Sequence, residues 1–370
     1  TERGRKMKKL LTKIVCACIS IFALNAVSAL AEEYSGQTFD LTYEMSNGEI
    51  TITDCYYRST IVEIPESING YPVTSIEKFA FSYCSDLTSI TIPESVTSIG
   101  NYAFVGCNSL ISITIPNGIT SIGGYMFSGC SSLTSITIPE SVESIGDYAF
   151  WYCSSLKNIV IPDNMVNIGG GAFGYCSSLT EITIPSGIIS INDYTFTSCG
   201  SLMSITISDS VTNIGEHAFL FCRSLESITV PDGVESVGEG AFSFCDSLAS
   251  ITIPRTVMNI GDSAFSYCSN LKDVYYDGNE EEWGKIVGKN KYDLVNVTIH
   301  YNSEMSETNG ENSVVPDNDT DIHKVIFTIG EYNSRVFGKL QENDVAPIIR
   351  SNRTMLPARA VAESLGGTVG

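Results

Sequence analysis

The chain is short of the residues that most chemistry needs. It has three histidines, His217, His300 and His323, far apart in sequence, and no HExxH or CxxC pattern. Neither a zinc hydrolase site nor a thiol redox pair can be assembled from local motifs of that kind, and no catalytic residue, metal site or cofactor is expected. Basic residues are scarce, with 21 Lys and Arg against 42 Asp and Glu in 370 residues. So acidic a chain repels phosphate backbones and anionic lipid heads, which excludes nucleic acid as an expected partner and leaves basic or neutral ones. Long hydrophobic runs are missing except for Ile14 to Leu24, which stops at Asn25, short of the roughly 20 residues that a membrane span requires.

That single run has the setting of a secretory signal. From Met7 a basic stretch (Lys8, Lys9, Lys13) leads into it, and Ala29-Leu30-Ala31 before Glu32 supplies a small-residue cleavage site. Removing residues 1–31 leaves 15 basic and 41 acidic residues, a net charge of −26. The expectation is a secreted or bacterial cell-surface protein, with no membrane insertion after cleavage.

What the sequence has in abundance is repetition. Phe81, Phe104, Phe127, Phe150, Phe173, Phe196, Phe219, Phe242 and Phe265 follow one another at 23 residues without an insertion. A cysteine comes three residues after each, from Cys84 to Cys268, and a leucine three residues later, from Leu87 to Leu271. A fixed period of this length marks a solenoid. Each unit continues Leu-x-x-Ile-x-Ile-Pro, so that in the first one Leu87, Ile90 and Ile92 turn inward and Thr88, Ser89 and Thr91 outward along a short strand. Proline, with no N–H for the ladder, ends it in all but one of the first eight units, from Pro93 to Pro254, the exception being Ser208. Gly100, Gly123, Gly146, Gly169, Gly215, Gly238 and Gly261 form a further column, expected to turn the chain with positive φ. One unit cannot bury enough apolar surface to fold alone, so stability must come from stacking. The cysteine column, inward by register, is expected to be reduced and buried rather than paired.

The columns I-G-x-x-A-F-x-x-C-x-x-L-x-x-I-x-I-P resemble the BspA-like leucine-rich repeats of bacterial surface proteins, over about residues 61–276. The resemblance implies a leucine-rich-repeat solenoid, a right-handed superhelix that is mainly β with short helical or irregular convex segments, and cell-surface adhesion as its commonest role. Around it the sequence divides into an N-terminal cap hairpin at 32–60, turning at Asn47-Gly48, a C-terminal cap at 277–302 and an acidic linker at 303–322. Residues 323–370, with Arg353, Leu356, Pro357 and Arg359, resemble the start of the accessory domain named after the amino terminus of copper amine oxidases. That adds a partial small α+β module, non-catalytic by the same resemblance.

Two tempting motifs have blander explanations. Gly169 to Gly174 matches GxGxxG but lies in repeat register, with Phe173 as its core residue, and Asp317, Asp319 and Asp321 lack the glycine that a calcium loop needs, since Ile322 stands there. The outward strand positions are a Thr/Ser lattice that is the same at every unit. Specificity for a protein partner, host or bacterial, is therefore expected where the lattice is broken, at Lys157, Asn158, Val160, Glu181, Met203, Glu226, Lys272 and Asp273. The alternative is an aromatic edge at Tyr102, Tyr125 and Tyr148, which could anchor a protein or stack on a glycan. A third reading makes the chain an accessory region of a larger secreted hydrolase. The signal is directly testable: amino-terminal sequencing of secreted material is expected to begin at Glu32, and any other start, or retention in the membrane, contradicts the assignment.

Overall fold

The computed structural model describes residues 41–55 and 58–302 and, beyond them, the backbone of four short strands between Lys324 and Met355. The expected signal segment, the acidic linker and most of the C-terminal module lie outside the described residues. The chain divides into two compact units, Thr1–Ser306 and Glu307–Gly370.

The first unit is a mainly-β solenoid. It starts with an antiparallel hairpin of β1 (Leu41–Ser46) and β2 (Glu49–Cys55), whose turn residues Asn47 and Gly48 both have positive φ, as a two-residue hairpin loop demands. β3 (Ile61–Glu63) and a second hairpin, β4 (Ser67–Ile68) with β5 (Tyr71–Ile76), lead into nine coils, numbered 1 to 9 here from Phe81 to Phe265. Most coils contribute a Ser-Ile-Thr strand to one parallel ladder and a two-residue Ser-Ile or Asn-Ile strand to another. Partners stand 23 residues apart, as with Ser112↔Ser135 and Ile122↔Ile145. Between the two ladders each coil turns on its proline: Val96 N–H donates to Pro93 O at 3.0 Å, and the pattern survives at Ser208, whose carbonyl takes Val211 N–H at 3.1 Å.

The third stretch of each coil, the Phe loop, is neither helix nor strand. Its amides at the Phe and two residues to either side donate to the next coil, as Tyr102, Phe104 and Gly106 do to Gly124, Met126 and Ser128. To aim alternate N–H groups the same way, the backbone is left-handed two residues before and two after every Phe, from Phe79 and Tyr83 to Ser263 and Tyr267. Most of these positions are aromatic, an unfavourable backbone choice for a bulky residue that the cross-coil bonds hold in place. The Phe rings form an unbroken buried stack, with centroids 5.2 to 6.1 Å apart from Phe81 to Phe265.

The cysteine column completes the loop. Each Phe carbonyl from Phe81 to Phe242 accepts its own coil's Cys N–H and also the thiol of the next coil: Phe104 O takes Cys107 N at 3.2 Å and Cys130 Sγ at 3.3 Å. The thiol bond recurs from Cys107 to Cys268. Cysteine suits the site because it is small, tolerates burial and supplies a weak donor for the carbonyl's second lone pair. The column cysteines from Cys84 to Cys268 are free thiols, and they and Cys55 are buried except for the half-buried Cys268. Burial pushes the thiols from Cys130 to Cys268 up, to about 12 at Cys199 and Cys268. For Cys107 the hydrogen bond with Cys130 comes first and burial second.

The glycine column corrects the sequence expectation, since positive φ falls at none of its members. The requirement is close approach. A Cβ on Gly238 would stand 2.5 Å from Glu216 N, and one on Gly146 would stand 2.6 Å from Gly124 N. Both obstacles are backbone of the preceding coil. Coil 5 carries Asn192 where the column predicts glycine, and its side-chain Nδ2 donates to Ile168 O at 2.6 Å, whereas Gly169 and Gly215 bond to the preceding coil through backbone N–H. Between coils 4 and 5 neither ladder continues: the Ser-Ile-Thr ladder of coils 1 to 3 reaches coil 4 only through the bridge Ser135↔Asn158, and the short ladder restarts at Ser190. The Phe loop gives these two coils most of their backbone bonds, through Tyr148, Phe150 and Tyr152 N–H to Gly170, Ala172 and Gly174 O, with Thr180 N to Lys157 O the one strand-side bond.

At the far end the strand Thr298–Tyr301 adds to coil 9, and a capped helix, α1 (Glu280–Ile286), covers it. The buried Asn290 accepts Ala264 N–H at 2.8 Å and donates to Gly261 O at 2.9 Å, taking the place of a tenth Phe loop. The second unit shows two antiparallel pairs, Lys324–Ile329 with Tyr332–Phe337 and Ile348–Arg350 with Arg353–Met355.

Two outcomes follow from this packing. Gly238→Ala is expected to cost about 1–3 kcal/mol by overpacking, whereas Gly124→Ala, whose Cβ meets nothing nearer than 3.4 Å, leaves the denaturation midpoint almost unchanged; equal effects would contradict the close-approach account. The thiols set an alkaline limit. Unfolded cysteines ionise near pH 8.5 while Cys199 and Cys268 hold their protons to about 12, so above about pH 8.5 the folded state binds more protons and rising pH destabilises it. Denaturant titrations should be flat from about pH 6 to 8 and then lose about 1.4 kcal/mol per pH unit for each such thiol. Rapid labelling of the folded column at pH 8 would refute the burial on which this rests.

Candidate functional site

The outward positions of the Ser-Ile-Thr strands are exposed or half-buried, while the isoleucines between them are buried except for the half-buried Ile205, the clearest alternation being Ser112, Ile113 and Thr114. Period 2 at each strand therefore produces one continuous polar face. Where this face departs from the lattice, the side chains are also outward. Lys157, Asn158, Glu181, Glu226 and Lys272 are exposed, Asp273 is half-buried, Val160 is 80% exposed and Met203 is 52% exposed. An isolated apolar residue at 80% exposure, where neighbouring coils carry threonine, stabilises nothing in the fold.

These residues do not form one site. Lys157, Thr180 and Met203 occupy successive coils joined by backbone bonds, Thr180 N to Lys157 O at 3.3 Å and Met203 N to Thr180 O at 2.9 Å. Asn158 and Val160 share coil 4 with Lys157, and Glu181 lies on coil 5, so the first group sits at the step where both ladders stop. Lys272 and Asp273 lie on coil 9, about 24 Å along the stack at roughly 4.8 Å per coil. There Asp273 Oδ1 meets His300 Nε2 at 2.8 Å and Tyr275 stacks on the same ring at 4.6 Å. Sequence reasoning missed His300 because only the strand pairing Tyr275↔His300 brings it there. Glu226, on coil 7, belongs to neither group.

The aromatic edge is built differently from the expectation. Phe79, Tyr102, Tyr125 and Tyr148 stack at 4.8 Å between successive centroids, so the faces of Tyr102 and Tyr125 are taken by neighbouring rings and only their edges reach solvent. Lys78 lies over the first two rings of the row. The stack ends at coil 5, where Gly171 provides no ring and Trp151 meets Tyr148 edge-on at 5.1 Å. A Cβ at Gly174 would stand 2.0 Å from Trp151 Cζ3, and one at Gly171 would stand 2.5 Å from Tyr148 Cε1. The GxGxxG match of the sequence is thus the clearing that admits these two rings. Trp151 continues edge-on to Tyr175, which stacks on Tyr152 at 4.3 Å.

Among the described residues no group of three or more His, Cys, Asp and Glu is placed to hold a metal ion, and no helix is long and apolar enough to cross a membrane.

The BspA type leucine rich repeat region model matches residues 74–202 and 189–313, in six copies. A copper amine oxidase N-terminal domain model matches residues 296–370, which begins earlier than the expected 323 and takes in the strand Thr298–Tyr301 of the solenoid. No curated protein matches the chain. Among solved structures, the chain is similar to a leucine-rich-repeat protein of T. pallidum (30% identity, 59% of this chain and 91% of that one, TM-score 0.45). It is also similar to a leucine-rich cell surface protein of Faecalibacterium prausnitzii (26%, 70% and 98%, TM-score 0.36) and to the pneumococcal vaccine antigen PcpA (14%, 70% and 89%, TM-score 0.33). With its Phe, Cys, Leu and Gly columns stacked coil on coil and the family model covering most of its length, the chain belongs to the BspA type leucine-rich-repeat family.

Proposed function

We propose that this protein is a non-catalytic binding protein of the bacterial surface or its surroundings, and that it engages an extracellular protein partner through the strand face at coils 4 to 6. The observation that carries the reading is Val160, 80% exposed beside Lys157, Asn158 and Glu181 at the one step where both ladders stop. Elsewhere the face is mostly short and polar, Ile111 and Tyr275 being exposed exceptions, with little side-chain entropy to lose, which suits a protein or polymer better than a small molecule. An apolar centre with charges of both signs around it matches the usual anatomy of a protein interface. Lys272 and Asp273 would contribute as an outlying contact. A glycan, the alternative, stacks on a free ring face, and the faces of Tyr102 and Tyr125 are already covered, which favours protein.

The test is to immobilise the secreted form and probe it with extracellular-matrix proteins, bacterial surface extracts and oligosaccharide arrays in parallel. Reversing charge with Lys157→Glu, Glu181→Lys and Glu226→Lys is expected to weaken protein binding about tenfold or more. The thermal midpoint should barely move, because the three side chains are exposed. Binding that survives these changes but is lost on replacing Tyr102, Tyr125 and Tyr148 by serine would move the site to the aromatic edge, and retention of oligosaccharides alone would replace the protein reading with the glycan one.

A further inference from the structure

The N-terminal hairpin reaches the repeats by a shortcut. In the ladders Ile52 pairs with Ile76 and Ile61 with Ser89, so the chain takes nine steps between these levels where coil 1 takes thirteen. The shortcut stands where a coil has its Phe loop but is four residues shorter, and Cys55, at the end of β2, begins it. The segment is pressed against coil 1, because Thr60 O accepts both Thr88 N and Thr88 Oγ1 at 2.7 Å, four residues beyond Cys84. Cys55 and Cys84 are 7% and 2% exposed, and their thiols are in hydrogen-bond contact. Cys84 thus heads the column and meets a cysteine where Cys107 to Cys268 meet a Phe carbonyl of the preceding coil.

We propose that Cys55 and Cys84 form a disulfide in the secreted protein, a latch that fastens the N-terminal hairpin to the first Phe coil. The oxidant is a disulfide, either of a thiol oxidoreductase or of low molecular weight. The Cys84 thiolate attacks one of its sulfurs and expels a thiolate, leaving a mixed disulfide. The Cys55 thiolate then attacks the Cys84 sulfur and expels the second thiolate. Two protons and two electrons pass from the pair to the oxidant, which ends as two thiols. Both sulfurs are buried in the folded solenoid, so the exchange precedes the final packing of the hairpin. The cross-link closes the loop between the hairpin and coil 1 in the unfolded chain, which disfavours that state, and it acts at an end of the stack, where fraying of a solenoid begins. Cys107 to Cys268 stay reduced because each thiol donates to a Phe carbonyl, Cys107 and Cys130 included although their thiols also meet each other.

The proposal rests on secretion for its oxidising surroundings, but its test does not. The chain without residues 1–31 is refolded in a mixture of reduced and oxidised glutathione, denatured, alkylated and mapped without reductant. The expected result is a single linkage joining the peptides of Cys55 and Cys84, with Cys107 to Cys268 alkylated. Dithiothreitol should lower the melting temperature of this material by several degrees, and it should have no such effect on Cys55→Ser or Cys84→Ala. Alkylation of both cysteines after oxidation, a bridge between Cys107 and Cys130 instead, or an equal response to reductant in the variants would each overturn the latch. Secretion itself would be contradicted separately, by amino-terminal sequencing.

Discussion

Everything in the solenoid depends on one constraint: each coil must lie against a near copy of itself at the spacing of a β-ladder. A residue in such an array meets the same position of its neighbours above and below, so only residues that pack well on their own kind can form a column. Phenylalanine meets the condition by offset ring stacking, and isoleucine by ordinary side-chain packing. Cysteine meets it because its thiol reaches past its own column to a carbonyl of the preceding coil. Glycine meets it by having nothing to place in the gap. Removing one Phe ring, by analogy with other large-to-small core changes, would cost about 3–5 kcal/mol, and the loss would fall on two interfaces at once.

The same constraint governs how much of this was legible beforehand. The Phe, Cys and Leu columns repeat without a gap in nine units, and the inward pair is Ile-x-Ile in all but two of them, Ile228/Val230 and Val274/Tyr276, so register, strand positions and thiol burial follow from period alone. The glycine column was visible too, but its usual meaning was the wrong one, because nothing in a single sequence separates a glycine needed for positive φ from one needed for close approach. The left-handed residues were invisible for a related reason. Backbone preference assigns that region to glycine and asparagine, whereas here tyrosine and phenylalanine occupy it at Tyr102, Tyr148 and Phe221, held by bonds to the next coil that only the assembled stack supplies.

Site legibility shows the same division. Which residues point outward could be derived by counting alternate positions, and Lys157, Asn158, Val160 and Glu181 are exposed. Which of them lie together depends on coil spacing and on the interruption at Asn192, and neither is a property of the residues themselves. The aromatic edge looked like an open platform in sequence because side chains recurring at 23 residues were visible, while the stacking that covers their faces at 4.8 Å requires a left-handed backbone at every one.

Asn192 links the packing of the interior to the variation of the outward face. A Cβ in that column meets backbone at about 2.5 Å in the neighbouring steps, as at Gly169 and Gly215, so coil 5 cannot settle onto coil 4 as other coils settle onto theirs. Its side chain takes over the bond to Ile168 O, and the strand side keeps the single bond Thr180 N to Lys157 O in place of a ladder while the Phe loop keeps its three bonds. On the loop side the same pair of coils exchanges regular columns for Trp151, Gly171 and Gly174. The array thus gives up its self-similarity on two sides at one step, and this is also where its outward lattice carries an exposed valine between charges of both signs. A repeat whose interior must copy itself can vary only where that copying is relaxed, and a partner that distinguishes one coil from the next has to find it there.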